Sequence, residues 1–175
     1  MAEAAPANTN SPLAKPIVLV GPMGVGKTTV GKKLAKVLRV PFIDTDALVV
    51  AAHGEIPEIF EKQGEPVFRG YEEDAVLEAI ASPAIVATGG GAVLSSLTQE
   101  RLKDATVIYL SSDGRHMGAR LASGGRPLIK NGLDDWRRIY EERKPTYEAV
   151  ADHSILVSGL SLSATVAKIR ELLGV

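Results

Sequence analysis

Gly21-Pro22-Met23-Gly24-Val25-Gly26-Lys27-Thr28 fits the pattern G-x-x-x-x-G-K-[S/T]. Ahead of it, Ile17-Val18-Leu19-Val20 is an unbroken apolar run that reads as a buried strand. Behind it, Val30, Leu34, Val37 and Leu38 recur at helical spacing. A strand, a glycine-rich turn and a helix in that order make a phosphate cradle. The glycines let backbone N–H groups turn inward, and the helix N-terminus adds partial positive charge. Lys27 is then placed to reach the β- and γ-phosphates, and the Thr28 hydroxyl to ligate Mg²⁺. The stretch predicts a nucleoside-triphosphate site built from Gly24, Val25, Gly26, Lys27, Thr28 and Thr29.

Composition bounds the rest. The 175 residues, 45% hydrophobic and 23% charged, suit one soluble globular domain with a substantial core. A net charge of −1 argues against bulk attraction to nucleic acid or anionic membrane. The absence of cysteine excludes disulfide and thiolate chemistry and fits a cytoplasmic location. Residues 1–16 are rich in Ala, Pro, Asn and Ser, without the basic start and apolar stretch of a secretory signal. They are expected to be a disordered tail before a single domain over 17–175. No apolar run is long enough to span a bilayer.

From Ile17 onward, short apolar runs alternate with helical patterns. Strands are predicted at 17–20, 41–44, 84–88, 106–110 and 154–157. Helices are predicted at 27–39, 46–52, 56–62, 67–81, 96–103, 114–122 and 134–149, with a last one from Ser161 stopped at Gly174. Runs without polar alternation imply strands covered on both faces. The order predicts an α/β fold, an open parallel sheet with ligands at the carboxyl ends of its strands. The segment 123–132 breaks the rhythm with glycine stops, Pro127 and the cations Arg126 and Lys130. It reads either as a plain connection or as a mobile lid carrying cations over the nucleotide.

Four further motifs narrow the chemistry. There is no N-K-x-D, and the strand at 84–88 ends in Gly89-Gly90-Gly91 rather than adjacent acids, which points to a small-molecule kinase. The second strand ends in Asp44-Thr45-Asp46, and alternate residues of an extended segment face the same way. Asp44 is thereby a candidate for a Mg²⁺-bound water and Asp46 for an acceptor hydroxyl; the alternative is that Asp46 caps the next helix. Arg69 lies early in a helix, unfavourably for the macrodipole, and so demands a partner. A ligand carboxylate would serve, as would Glu72 or Glu73. Gly89, Gly90 and Gly91 strip a loop of side chains, so that a ligand can lie against its backbone. Arg143 in Arg143-Lys144-Pro145-Thr146-Tyr147 is weak evidence alone, and Pro145 predicts a kink.

Together GPMGVGKTT, DTD, GEPVFRGYE, the triple glycine, GRPLI and ERKPTYEAVA resemble the shikimate kinase family, in family order and over nearly the whole chain from Ile17. The resemblance implies a P-loop, nucleoside-monophosphate-kinase-like three-layer fold with strand order 2-3-1-4-5. It implies transfer of the ATP γ-phosphoryl group to the 3-hydroxyl of shikimate, a step of aromatic amino-acid biosynthesis. By the family pattern Asp46, Arg69, the Gly89–Gly91 loop and Arg143 bind shikimate, within a region about 45–72 and its neighbours. Lys27 and Arg126, the latter on a lid at about 123–133, neutralise the transferring phosphate. Thr28 and Asp44, the latter through water, hold Mg²⁺, and Arg120 approaches adenine. A cytoplasmic monomer acting on ATP and shikimate, with no nucleic-acid or membrane partner, is expected. Two departures stand out: the 54–60 segment is one residue short and carries Pro57, and Thr146 replaces an apolar residue. Two rivals are a gluconate-type kinase of the same fold and a non-catalytic nucleotide-binding module. Intact Lys27, Thr28, Asp46 and Arg126 argue against the second.

Overall fold

The computed structural model describes residues 11–121 and 126–175. Five parallel strands are present: β1 (Ile17–Val20), β2 (Phe42–Asp44), β3 (Ile85–Ala87), β4 (Thr106–Ser111) and β5 (His153–Leu156). They lie in the order β2-β3-β1-β4-β5, as the family resemblance implies. Register is set by Ile17 opposite both Ile85 and Thr106, Phe42 opposite Ile85, and Ile108 opposite His153. The helices are α1 (Lys27–Leu38), α2 (Thr45–His53), α3 (Ile56–Gln63), α4 (Glu65–Ala79), α5 (Ser96–Leu102), α6 (Met117–Leu121), α7 (Leu133–Val150) and α8 (Leu162–Leu173). Among the described residues, no helix is long and apolar enough to cross a membrane.

Strand alternation divides the core. Val18, Val20, Val86, Val107 and Tyr109 face one side and pack with Trp136, Tyr140 and Tyr147 of α7. Ile17, Leu19, Ile85, Ile108 and Leu110 face the other, against Val30 and Leu34 of α1 and Val166 and Ile169 of α8. The uniformly apolar strands follow from being covered twice. A smaller cluster of Val49, Ile59, Phe68 and Ala75 knits α2, α3 and α4 into a lobe beyond β2. Leu13 is buried in the α1–α8 side of the core, and the Pro16 carbonyl accepts from Thr106 N–H at 2.9 Å. Residues 1–10 of the expected tail lie outside the described residues.

A boundary differs instructively from expectation. Helix α2 starts at Thr45, not Asp46, because Asp44 is its cap: one carboxylate oxygen accepts from the N–H groups of Asp46 and Ala47. Helix α7 runs unbroken through Pro145. The hydrogen bond that proline forgoes is to the Glu141 carbonyl, and both residues are exposed, so water can replace it. Pro57 falls in the first turn of α3, where its missing N–H has no intrahelical partner to lose. Gly174 adopts the left-handed conformation that ends α8, as the sequence predicts.

Candidate active site

A cleft of about 690 Å³ opens at the carboxyl ends of the strands. Strand order distributes its lining: β2 and β3 lead into Asp46 and the triple glycine, β1 into the P-loop, and β5 into Val157 and Leu160. The phosphate cradle is therefore central, with the acceptor candidates on one side and an apolar recess on the other.

Gly24 and Gly26 hold φ of 77° and 108°, which L side chains rarely adopt, and so let the loop curl ahead of α1. Helix α1 has no side-chain cap and no acidic residue in its first turn, leaving its N-terminal amides and dipole directed to an anion. Lys27 is buried and donates to the carbonyls of Gly21 at 2.7 Å and Pro22 at 2.9 Å. Burial lowers its pKa to about 8 against the attraction of Asp46 and Asp44. Val25 is buried, while Thr28 and Thr29 are exposed on the cleft.

The Thr28 hydroxyl donates to Asp44 at 2.6 Å while the other Asp44 oxygen caps α2. Among the described residues, no three His, Cys, Asp or Glu side chains cluster as an all-protein metal site. One hydroxyl and one carboxylate form the sparse hard-oxygen set that suits Mg²⁺ bound to phosphate.

On the acceptor side, Asp46, Arg69, Glu72, the triple glycine and Arg143 come together. Asp46 faces the cleft not from an extended segment but from α2, whose first turn carries it there. Burial, with Glu72 and Asp44 nearby, raises its pKa to about 6. Arg69 pairs with Glu72 at 2.8 Å and with Glu65 at 3.1 Å. Burial opposes the Arg69 charge, but Glu72 and Glu65 outweigh it and raise the pKa. Glu73 is not its partner; it accepts from Ser95, the cap of α5. Burial likewise raises the Glu72 pKa against the pull of Arg69. Arg143 is buried on α7 and lines the same cleft.

The glycine loop is tight as well as bare. A Cβ on Gly89 would lie 2.5 Å from Glu72 Oε1 and 2.8 Å from Asp46 Oδ1. One on Gly91 would collide with the Arg69 guanidinium. One on Gly90 would lie 3.2 Å from the Met23 nitrogen and 3.5 Å from Arg143 Nη1. Not all its N–H groups are turned to a ligand, since that of Gly89 donates to Thr45 Oγ1 at 3.3 Å.

Arg120 donates to the Gly24 carbonyl at 2.8 Å, and Arg126 donates to the Arg120 carbonyl at 3.3 Å; both line the cleft. Ser123, Gly124 and Gly125 of the expected lid lie outside the described residues. Beyond Arg126, the N–H groups of Lys130 and Asn131 both donate to Asp135 at 2.8 Å. The Trp136 indole N–H donates to the Met23 carbonyl at 2.8 Å, joining α7 to the P-loop.

Sequence reasoning gave Glu72 only as a structural partner and passed over Tyr147 and Thr45. A glutamate one turn beyond Arg69 was the available signal for Glu72. No local pattern marks a tyrosine hydroxyl that reaches a loop 57 residues away.

Known proteins resemble this chain in sequence and in fold. The family described as Shikimate kinase matches residues 23–173. A shikimate kinase of Rhodococcus jostii is 42% identical over 170 residues, covering 91% of this chain and 100% of the relative. The structure of a shikimate kinase from Acinetobacter baumannii in complex with shikimate superposes with a TM-score of 0.84 at 36% identity, over 91% of this chain and 92% of that one. A gluconokinase from Sinorhizobium meliloti shares the fold alone, with a TM-score of 0.58 at 20% identity over 91% of this chain and 95% of that one. The chain belongs to the shikimate kinase family and is an ATP-dependent kinase.

Proposed function

We propose that this enzyme transfers the γ-phosphoryl group of ATP to the 3-hydroxyl of shikimate, giving ADP and 3-phosphoshikimate. The observation that carries the reading is the meeting of Arg69 and Arg143 with Asp46 around one glycine loop, in the same cleft as Lys27. Two guanidinium groups suit a carboxylate, and a carboxylate suits a hydroxyl nucleophile, so the acceptor is a hydroxy acid. The name and bound ligand of the Acinetobacter structure supply shikimate as that acid.

Phosphoryl transfer passes through a loose transition state, where positioning and charge stabilisation supply most of the acceleration. The Gly24–Thr29 loop holds the phosphates, and Lys27 exchanges its carbonyl partners for β- and γ-phosphate oxygens. Asp46 accepts a hydrogen bond from the reacting hydroxyl, orients its oxygen in line, and receives its proton as the bond to phosphorus forms. Arg69 and Arg143 fix the far end of the ring. Arg126 adds charge at the transferring group, and Arg120 borders adenine. Thr28 directly, and Asp44 through water, would hold Mg²⁺, which would neutralise charge on the phosphates. We assign the enzyme to the cytoplasm, as a monomer.

The test is product identity. Phosphorus NMR of a reaction with MgATP and shikimate is expected to show one new monophosphate ester coupled to the C3 proton. Phosphate on another hydroxyl, or only inorganic phosphate, contradicts the reading.

A further inference from the structure

Trp136, Tyr140, Arg143 and Tyr147 are spaced i, i+4, i+7 and i+11 along α7 and form one buried face. Three of the four have tasks already evident: Trp136 binds the P-loop carbonyl, Tyr140 bonds Tyr109, and Arg143 lines the cleft. Tyr147 does not line the cleft, yet its hydroxyl donates to the carbonyl of Gly90 in the glycine loop. Arg143, one turn earlier on the same face, sets its Nη1 3.5 Å from where a Cβ on Gly90 would lie. Its ring is held between Tyr109, at 5.3 Å, and Tyr140, at 6.2 Å, which leaves the hydroxyl little freedom.

We propose that Tyr147 is a positioning residue for the acceptor, its hydroxyl fixing the Gly89–Gly91 loop against the Arg143 guanidinium. Those two parts of the acceptor site come from distant stretches of chain, and no backbone ladder connects them. A loop of three glycines has many backbone conformations, and an acceptor that must select one binds less tightly than to a pre-set loop. The Tyr147 hydroxyl removes that choice by holding the Gly90 carbonyl. Burial raises the Tyr147 pKa to about 12, so the hydroxyl remains a donor to Gly90 at any working pH. Packing alone explains a phenyl ring here; it does not explain a hydroxyl bonded to the carbonyl of the loop that meets Arg69, Arg143 and Asp46.

The inference rests on the acceptor reading above. The experiment is steady-state kinetics of the wild type and Tyr147→Phe with MgATP and shikimate. Removing the buried hydrogen bond that holds the loop carbonyl is expected to raise the shikimate KM about tenfold. The values of kcat and of the ATP KM are expected to stay within about twofold. In an Arg143→Lys background the effect of Tyr147→Phe is expected to shrink, because the guanidinium against which the loop is set has gone. An unchanged shikimate KM overturns the proposal, and so does full additivity with Arg143→Lys. A variant that loses kcat, ATP affinity, shikimate affinity and thermal stability together also overturns it, since ring packing would then be what matters. Failure of the acceptor reading looks different: the wild type itself would not turn over shikimate.

Discussion

Asp44 and Thr28 are joined by a 2.6 Å hydrogen bond from the Thr28 hydroxyl, so the end of β2 is tied to the first turn of α1. Asp44 at the same time caps α2, the helix that carries Asp46. One carboxylate thus fixes the spacing between the phosphate cradle and the acceptor side.

The two duties of Asp44 separate on substitution. Asp44→Asn retains a good capping side chain and is expected to unfold within about 0.5 kcal/mol of the wild type, while Asp44→Ala loses about 1 kcal/mol. Both are expected to need several times more Mg²⁺ for half-maximal rate, because each lacks the negative charge. Denaturation curves and Mg²⁺ titrations of the two variants check this. An unchanged Mg²⁺ requirement in Asp44→Asn argues against a metal role.

The pH profile of kcat/KM reports ionisations of the enzyme before substrates bind. Asp46 must be ionised to accept the hydroxyl proton, and Lys27 protonated to meet phosphate. An acid limb near pH 6 and an alkaline limb near pH 8 are therefore expected, with the plateau between them. Asp46→Asn is expected to lower kcat far more than it alters the ATP KM. A variant with near-normal kcat contradicts Asp46's part in the chemistry.

Asp46 also has a stability signature. Its folded-state pKa of about 6 exceeds the ordinary 3.8, so between those values the native protein holds a proton that the unfolded chain has released. Stability therefore falls as pH rises through that window, and the loss persists above it. A shift of this size corresponds to roughly 2–3 kcal/mol of penalty on the ionised form. At pH 8, Asp46→Asn is expected to unfold several degrees above the wild type despite its poor activity. Equal melting temperatures would show that the ionised carboxylate is not penalised.

Gly91→Ala brings a methyl group into the space of the Arg69 guanidinium. The arginine must move, so the shikimate KM is expected to rise by an order of magnitude or more, with the ATP KM nearly unchanged. Arg143→Ala is expected to raise the shikimate KM at least as much. Substituent effects spread evenly over both substrates would count against a localised acceptor site.

Trp136 is the only tryptophan, and its indole N–H is bonded to the Met23 carbonyl of the P-loop. Nucleotide binding that shifts the loop is expected to change its emission. Binding demonstrated calorimetrically, without any fluorescence change, would mean that the Met23 contact is undisturbed.

Much of this architecture was legible in the sequence because it is local. Short apolar runs place all five strands to within one residue at each end and imply a sheet covered on both faces. The P-loop announced itself through glycines whose backbone conformations the structure then displays. What local pattern does not carry is pairing at a distance. Asp44 reads as well as a strand end as it does as a cap, and only the hydroxyl of Thr28, 16 residues back, shows how its two oxygens are divided. The bond from Trp136 to Met23 spans 113 residues, and that from Tyr147 to Gly90 spans 57. These contacts follow from strand order, which brings the loops after β1 and β3 beneath one face of α7. Asp46 shows the converse: it lines the cleft as expected, but from the first turn of a helix rather than an extended segment.

The most direct measurement is ADP formation from MgATP with shikimate, with gluconate, and with no acceptor. A large increase with shikimate alone is the predicted result. ADP formation with gluconate instead, or none above background with either acid despite bound ATP, would contradict the assigned reaction.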